Sequence, residues 1–379
     1  MSITVLDARE WQTALDLRTG EKAEPARPIV EIVKDVLRRH PYPGDMDPGS
    51  NRWVTDTALD LINGYRPRFV FLTYAAQYFS TRYNAMTKIE RTEIIADAFL
   101  ELERFIDATG FTAVVVGTGD MTPLLGLIDA TGVDGLAVST HWSARYAGLY
   151  EPSQDDLKLL NKHPHVERIV PRSEILSLFG GTPEQALRVP EYLMIARTGY
   201  AFRTISGAMK TPVMIPSSNF TVPVHTPGHI PQALTDIKNI LEESLIEHQV
   251  ALVIMEGVGL EDFLWPHTPC GNGKEWYYYE PNDAQYLTIT TGEHRFLDYP
   301  TGYKYFDEVD TAKEYPFSGY FTSIPEGTFA SRFPGKSIAV GNKSMFMHMV
   351  TGADICVECF ARNLYNQGTM AVIHRDDKL

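Results

Sequence analysis

Two segments in the first third of the chain, residues 68–74 (RFVFLTY) and 112–116 (TAVVV), are apolar almost without interruption. A strand with one wet face alternates apolar and polar residues. An unbroken apolar run needs cover on both faces, as a parallel strand has between two helical layers. Helical patterns lie beside both runs. Residues 54–62 turn Ala58, Leu61 and Ile62 to one side, with Gly64 as a stop. Thr87 and Glu90 have the spacing of a capping box, Ile95, Phe99, Leu102 and Ile106 follow on one face, and Gly110 ends the segment. Residues 54–116 therefore read helix, strand, helix, strand. The expected fold is α/β, with a mostly parallel central sheet sandwiched by helices. Ligands of such sheets sit beyond the carboxyl ends of the strands, so the loop 117–123 (GTGDMTP) is a place to expect chemistry.

The remaining pattern sets expected boundaries. Residues 1–50 form a lead-in whose clear element is a helix opened by Pro28, with Ile29, Ile32, Val33, Val36 and Leu37 on one face, followed by the Pro/Gly/Asp loop 41–50. Residues 51–259 form the α/β core, with a small α+β insert at about 135–200. Within it, strands are expected at 135–139, 166–170, 193–196 and 249–255, and helices at 153–160, 173–178 and 231–248. Residues 260–379 form an aromatic-rich section that caps the core or completes its sheet. It holds the run WYYY at 276–279, strands at 337–340 and 370–374, and a helix at 354–366.

Composition bounds the function. The 379 residues are 44% hydrophobic and 22% charged, enough to bury a large core, and carry a formal charge of −14. That field repels phosphate backbones and anionic membranes, so neither nucleic acid nor a membrane surface is an expected partner. A small-molecule substrate is expected, with a homo-oligomer or a complementing subunit as the protein partner. Three cysteines do not make a disulfide framework. The first ten residues lack the pattern of a secretory leader, and no apolar run approaches a membrane span; the expected location is cytoplasmic.

Several residues carry candidate chemistry. Asp120 follows a buried strand and could bind a metal or act as a base; it could equally cap the next turn. His225 and His229 are separated by three residues, but Pro223, Pro227 and Gly228 forbid the helix on which that spacing would aim both rings at one ion. His141 and His267 are lesser candidates, and His163 and His165 read as surface residues. Cys356 and Cys359 form a lone CxxC within an apparent helix and read as buried, inert thiols; the WYYY run reads as a pocket wall or a packed strand. There is no GxGxxG, GxxxxGK[ST], GxSxG or HExxH.

The succession of NRWVTDTALDLINGYRPRFVFLTYAAQY, FTAVVVGTGDMTP, LMIARTGYAFR and HTPGHIP over residues 51–229 resembles the type I phosphodiesterase and nucleotide pyrophosphatase-like branch of the alkaline phosphatase superfamily. The resemblance lies in pattern and order and covers nearly half of the chain. It implies an alkaline-phosphatase-like core, a divalent metal such as zinc, manganese or iron, and cleavage of a phosphoester-type bond. The metal ligands it implies are Asp120, His225, His229 and Glu256, and the catalytic residues are Asp120, His225 and Thr291. Glu256-Gly257 would replace the family's Asp-Gly, and Thr290 or Thr291 its nucleophile, in a permuted order. Residues 73–84 (TYAAQYFSTRYN) lack the family's first Asp and His, and Met121 stands where its Asp-His pair continues. Each cation of a two-metal phosphotransferase needs several such ligands. The alternatives are a fold-keeping subunit that has lost the metal site, and a metal-free lyase or hydrolase using His and Asp as acid and base.

Overall fold

The computed structural model describes residues 4–8, 14–16, 22, 28–139, 145–179, 190–203, 211–217, 221–272, 283–294, 327–343, 347–359 and 368–374. The WYYY run and His141 lie outside the described residues. The strands are β1 (Thr4–Asp7), β2 (Ala14–Asp16), β3 (Phe69–Tyr74), β4 (Thr112–Gly117), β5 (Met121–Pro123), β6 (Gly126–Ile128), β7 (Leu136–Ser139), β8 (Tyr146–Tyr150), β9 (Val166–Pro171), β10 (Tyr192–Ala196), β11 (Tyr200–Phe202), β12 (Met214–Pro216), β13 (Thr221–His225), β14 (Val250–Met255), β15 (Thr268–Gly271), β16 (Ser337–Gly341), β17 (Ile355–Cys359) and β18 (Thr369–Ile373).

Ten of these form one sheet among the described residues, in the order β15-β13-β4-β14-β3-β16-β17-β18-β1-β2. The five middle strands, from β4 to β17, run parallel. Every pairing outside them is antiparallel. A separate sheet, β7-β8-β10-β9, is antiparallel throughout. The expectation of a mostly parallel sheet is therefore corrected: the parallel order holds for the centre, and antiparallel pairings predominate overall. Helical crossovers join β3 to β4 and β16 to β17, which keeps each of these pairs running in one direction. The outer strands are added by other connections, which leave them free to reverse.

Alternation within each central strand explains the unbroken apolar runs. Val70, Leu72 and Tyr74 of β3 join one core with Val253 and Met255 of β14 and Val340 of β16. Helices Pro28–Arg39, Ser50–Tyr65 and Lys88–Thr109 cover that face. Phe69, Phe71, Leu252, Ile254 and Ala339 join a second core on the opposite face. There the cover comes from helices Ile237–Glu247, Asp283–Thr291, Phe329–Arg332 and Met347–Thr351. Helices thus flank both faces of the sheet, as expected.

Local expectations meet different outcomes. The lead-in has its helix at Pro28–Arg39 and also holds strands before it: β1 pairs with β18, and Leu6 is buried against the core. A four-residue strand at a sheet margin leaves too short a period to read. Residues 354–366 do not start a helix, because 355–359 form β17. Cys356 and Cys359 are free and buried; on a strand their spacing sends them to opposite faces, so they cannot converge. Residues 286–291, part of the stretch that the resemblance offers as the nucleophile region, lie in helix Asp283–Thr291.

Between β4 and β13 the chain leaves the main sheet and returns. The excursion from β5 to β12 has its own small core, including Leu149, Leu160, Met194, Phe202 and Ile215. Its stalk, the antiparallel pair β5–β12, packs on helix Ala76–Tyr83 through Met121 and Met214.

Candidate functional site

The crossover through helix Ile237–Glu247 inserts β14 between β3 and β4. The register sets Met255 beside Tyr74 on one side and Gly117 on the other, so three strands end level. The next residue, Glu256, is therefore delivered to the carboxyl end of the parallel centre, where its side chain is only 1% exposed. Gly257 follows at φ 69°, a left-handed turn that glycine adopts without cost. This turn lets the Gly257 N–H donate to Thr118 Oγ1 at 2.9 Å. Gly259 has no room for a side chain: a Cβ there would lie 1.7 Å from Asp120 Oδ1.

Three elements converge on the Glu256 carboxylate. Tyr286, from helix Asp283–Thr291, donates its hydroxyl to Oε1. Thr118, just past β4, donates to Oε2 at 3.2 Å. Lys343, just past β16, places Nζ 2.5 Å from Oε2, with its side chain 4% exposed. The same Nζ sits 3.7 Å from the ring centroid of Tyr78, a close cation–π contact. Arg82, buried one helical turn after Tyr78, donates Nη1 to the Tyr78 hydroxyl at 2.7 Å and Nε to that of Tyr83 at 3.2 Å. The side chains joined in this way include two cations and one carboxylate.

A layer of amides surrounds these groups. Gln77 Nε2 donates to the Tyr74 and Glu256 carbonyl oxygens at 2.7 and 2.9 Å. Gln285 Nε2 donates to the Thr118 carbonyl at 3.3 Å and to Asn272 Oδ1 at 2.9 Å. Asn342 Nδ2 donates to Ser50 Oγ at 2.8 Å and Asn51 Oδ1 at 3.1 Å. The buried oxygens Gln285 Oε1 and Asn342 Oδ1 accept no hydrogen bond from the described residues. Most buried polar atoms are hydrogen-bonded, so such acceptors call for an explanation. Near Asn342, the Tyr42 hydroxyl donates to Asp45 Oδ1 at 2.6 Å, and burial pushes the Asp45 carboxyl up to about 6.

Of the residues singled out in the sequence, Glu256 lies at the centre of this cluster. Asp120 also lies past the end of β4, against Gly259, and its backbone oxygen accepts from the Ser217 N–H at 2.8 Å. Desolvation raises its carboxyl, Asp262 adds to the rise, and Arg91 opposes it. His225 and His229 do not join them. Because β13 runs antiparallel to β4, His225 pairs with Val115 and the following chain leads away from the carboxyl ends. There His225 Nδ1 donates to the Pro266 oxygen at 2.7 Å, and His229 faces Glu243 at 3.7 Å. His267 is spent on the Trp265 carbonyl at 2.9 Å. Thr291 donates Oγ1 to the Leu287 oxygen at 2.6 Å, a local role within its helix.

These placements do not fit the two-metal centre that the resemblance implies. Among the described residues no group of three or more His, Cys, Asp or Glu side chains converges as metal ligands. The Glu256 oxygen that would hold a cation faces the Lys343 ammonium instead. Lys343, Tyr286, Thr118 and Arg82 were not legible as site residues. Each comes from a different element, and none belongs to a local motif; only the position of Thr118 beyond an apolar strand offered a signal.

No family model, curated protein or solved structure matches this chain. No helix among the described residues is long and apolar enough to cross a membrane.

Proposed function

We propose that this chain is an enzyme acting on a small anionic substrate at the carboxyl ends of β3, β4, β14 and β16, on a diverged alkaline-phosphatase-like frame. The observation that carries the reading is the buried Lys343–Glu256 pair at 2.5 Å, roofed by Tyr78 and joined by the Tyr286 and Thr118 hydroxyls. Removing two charges from water is costly, and a fold gains little stability from doing so. Such a pair at the ligand-binding end of a parallel sheet is a sign of chemistry. Lys343 and Arg82 supply the local positive charge that an anionic substrate needs against a chain of net charge −14. In this arrangement Lys343 faces negative charge developing on the substrate, Glu256 holds the ammonium in place, and the Tyr286 hydroxyl is the proton-carrying group beside them. No step is assigned to a metal, because the donor set does not fit one.

The test is hydrolysis of p-nitrophenyl phosphate and bis-p-nitrophenyl phosphate by the purified protein, in chelator and with added zinc, manganese or iron. Turnover is expected in chelator, with a loss of about 100-fold or more in Lys343→Met, the scale of removing a preorganised charge stabiliser. Absence of turnover under all of these conditions, or full activity in Lys343→Met, would overturn the reading. A second reading, a non-catalytic subunit that keeps the fold, is favoured by how fully Glu256 and Lys343 are enclosed. It requires the negative result.

A further inference from the structure

The two ends of the charged pair come from strands on opposite sides of β3. Glu256 follows β14 and Lys343 follows β16, and neither strand pairs with the other. Their approach therefore depends on how the three strand ends are fastened, and the fastening converges on Asn51. Asn51 lies in the first turn of helix Ser50–Tyr65 and is 4% exposed. Its Oδ1 accepts from the N–H groups of Ala75 and Ala76 and from Asn342 Nδ2, all at 3.1 Å. Its Nδ2 donates to Gln77 Oε1 at 3.0 Å. The first two bonds hold the turn between β3 and helix Ala76–Tyr83, which carries Tyr78. The third holds the residue immediately before Lys343. The fourth orients Gln77, whose own amide grips the Glu256 carbonyl. One side chain thus fastens the backbone beside Glu256, Lys343 and Tyr78 together.

We propose that Asn51 is the positioning residue of this site: it sets the separation of Lys343 from Glu256 and its seat over Tyr78 without touching substrate. The assignment rests on reading the Lys343–Glu256 pair as the working centre, but its test does not require turnover. Protein labelled with carbon-13 at lysine Cε gives one signal for Lys343, assigned by its loss in Lys343→Arg. The Tyr78 ring, 3.7 Å from Nζ, displaces that signal from those of solvent-exposed lysines. In Asn51→Ala the signal is expected to move toward the solvent-exposed lysines. In Asn51→Asp, which keeps the acceptor oxygen and loses the donor to Gln77, a smaller movement is expected. This milder variant also covers a failure of Asn51→Ala to fold.

Leu61→Ala, a core truncation in the same helix, is the control for general destabilisation. It is expected to lower the melting temperature and leave the Lys343 signal in place. An unmoved signal in both Asn51 variants, or an equal movement in Leu61→Ala, would overturn the proposal. A moved signal in a protein that hydrolyses neither ester upholds the positioning role and overturns only the catalytic reading.

Discussion

Glu256 and Lys343 enclose one another so completely that the loss of either strands the other. Removing one partner of a buried pair leaves an uncompensated charge and costs about 3–5 kcal/mol. Glu256→Ala and Lys343→Ala are each expected to lose stability on that scale in urea denaturation. The double substitution Glu256→Gln with Lys343→Met should lose clearly less than the sum of the two. Asp45 makes a pH-dependent contribution of the opposite sense. It is 2% exposed, and its carboxyl is raised from 3.8 to about 6 by burial. The folded chain then holds a proton that the unfolded chain releases at lower pH, so stability falls as pH rises from about 4 to about 6. The cost is complete above that window and amounts to roughly 3 kcal/mol. Asp45→Asn should flatten this part of the stability-versus-pH curve; an unchanged slope would refute the assignment. At this scale the sequence was partly legible. Glu256 is reached only through the family resemblance, where Glu256-Gly257 stands in the place of an Asp-Gly pair. Lys343 could not be found, because a lone lysine in a loop acquires meaning only when β16 docks beside β3.

Elements with strong local signals were the readable ones. Helix Lys88–Thr109 starts where the capping box places it, with Thr87 Oγ1 accepting from the Glu90 N–H at 3.2 Å and Glu90 Oε2 accepting from the Thr87 N–H at 2.7 Å. It ends at Gly110. Thr87→Ala removes the first of these bonds and is expected to cost about 1 kcal/mol, measured by urea denaturation at constant slope. β17 departs from the expected helix for a physical reason. Asp354 and Glu358 stand four apart, as on the wet stripe of a helix, yet both are buried. Asp354 accepts from the Ser337 N–H at 2.9 Å, and Glu358 meets His348 Nδ1 at 2.7 Å. Polar residues with partners inside a core copy the pattern of a surface, and only the tertiary partners tell the two apart. The histidine candidates failed differently. Their spacing was visible, but the direction of β13, which decides where they point, is a property of the whole sheet.

The whole molecule combines a parallel centre with antiparallel margins. Strands β14, β3 and β16 are paired on both sides and covered on both faces, whereas β15 and β2 are margins. Amide hydrogen exchange is expected to be slowest in those three strands and at least tenfold faster in the marginal ones, since protection follows burial and local contact. Equal protection across the sheet would contradict this ordering. The helix–strand alternation of residues 54–116 makes β3 and β4 readable, because the crossover between them is local, whereas β14 and β16 join them from residues 250–255 and 337–341. Outer strands close through distant pairings too, β13 with β15 and β1 with β18.

The longest of those closures has a mechanical consequence. In the β1–β18 ladder Thr4 stands opposite Ile373, and Asp7 opposite Met370. The backbone leading into β1 and the backbone leaving β18 therefore emerge at the same end of one ladder. Tension applied between these two points loads the hydrogen bonds one after another, like a zipper, instead of all together in shear. The sheet margin should part at low force and release β1 first, while the charged cluster at the centre of the sheet stays intact until the strands around it give way.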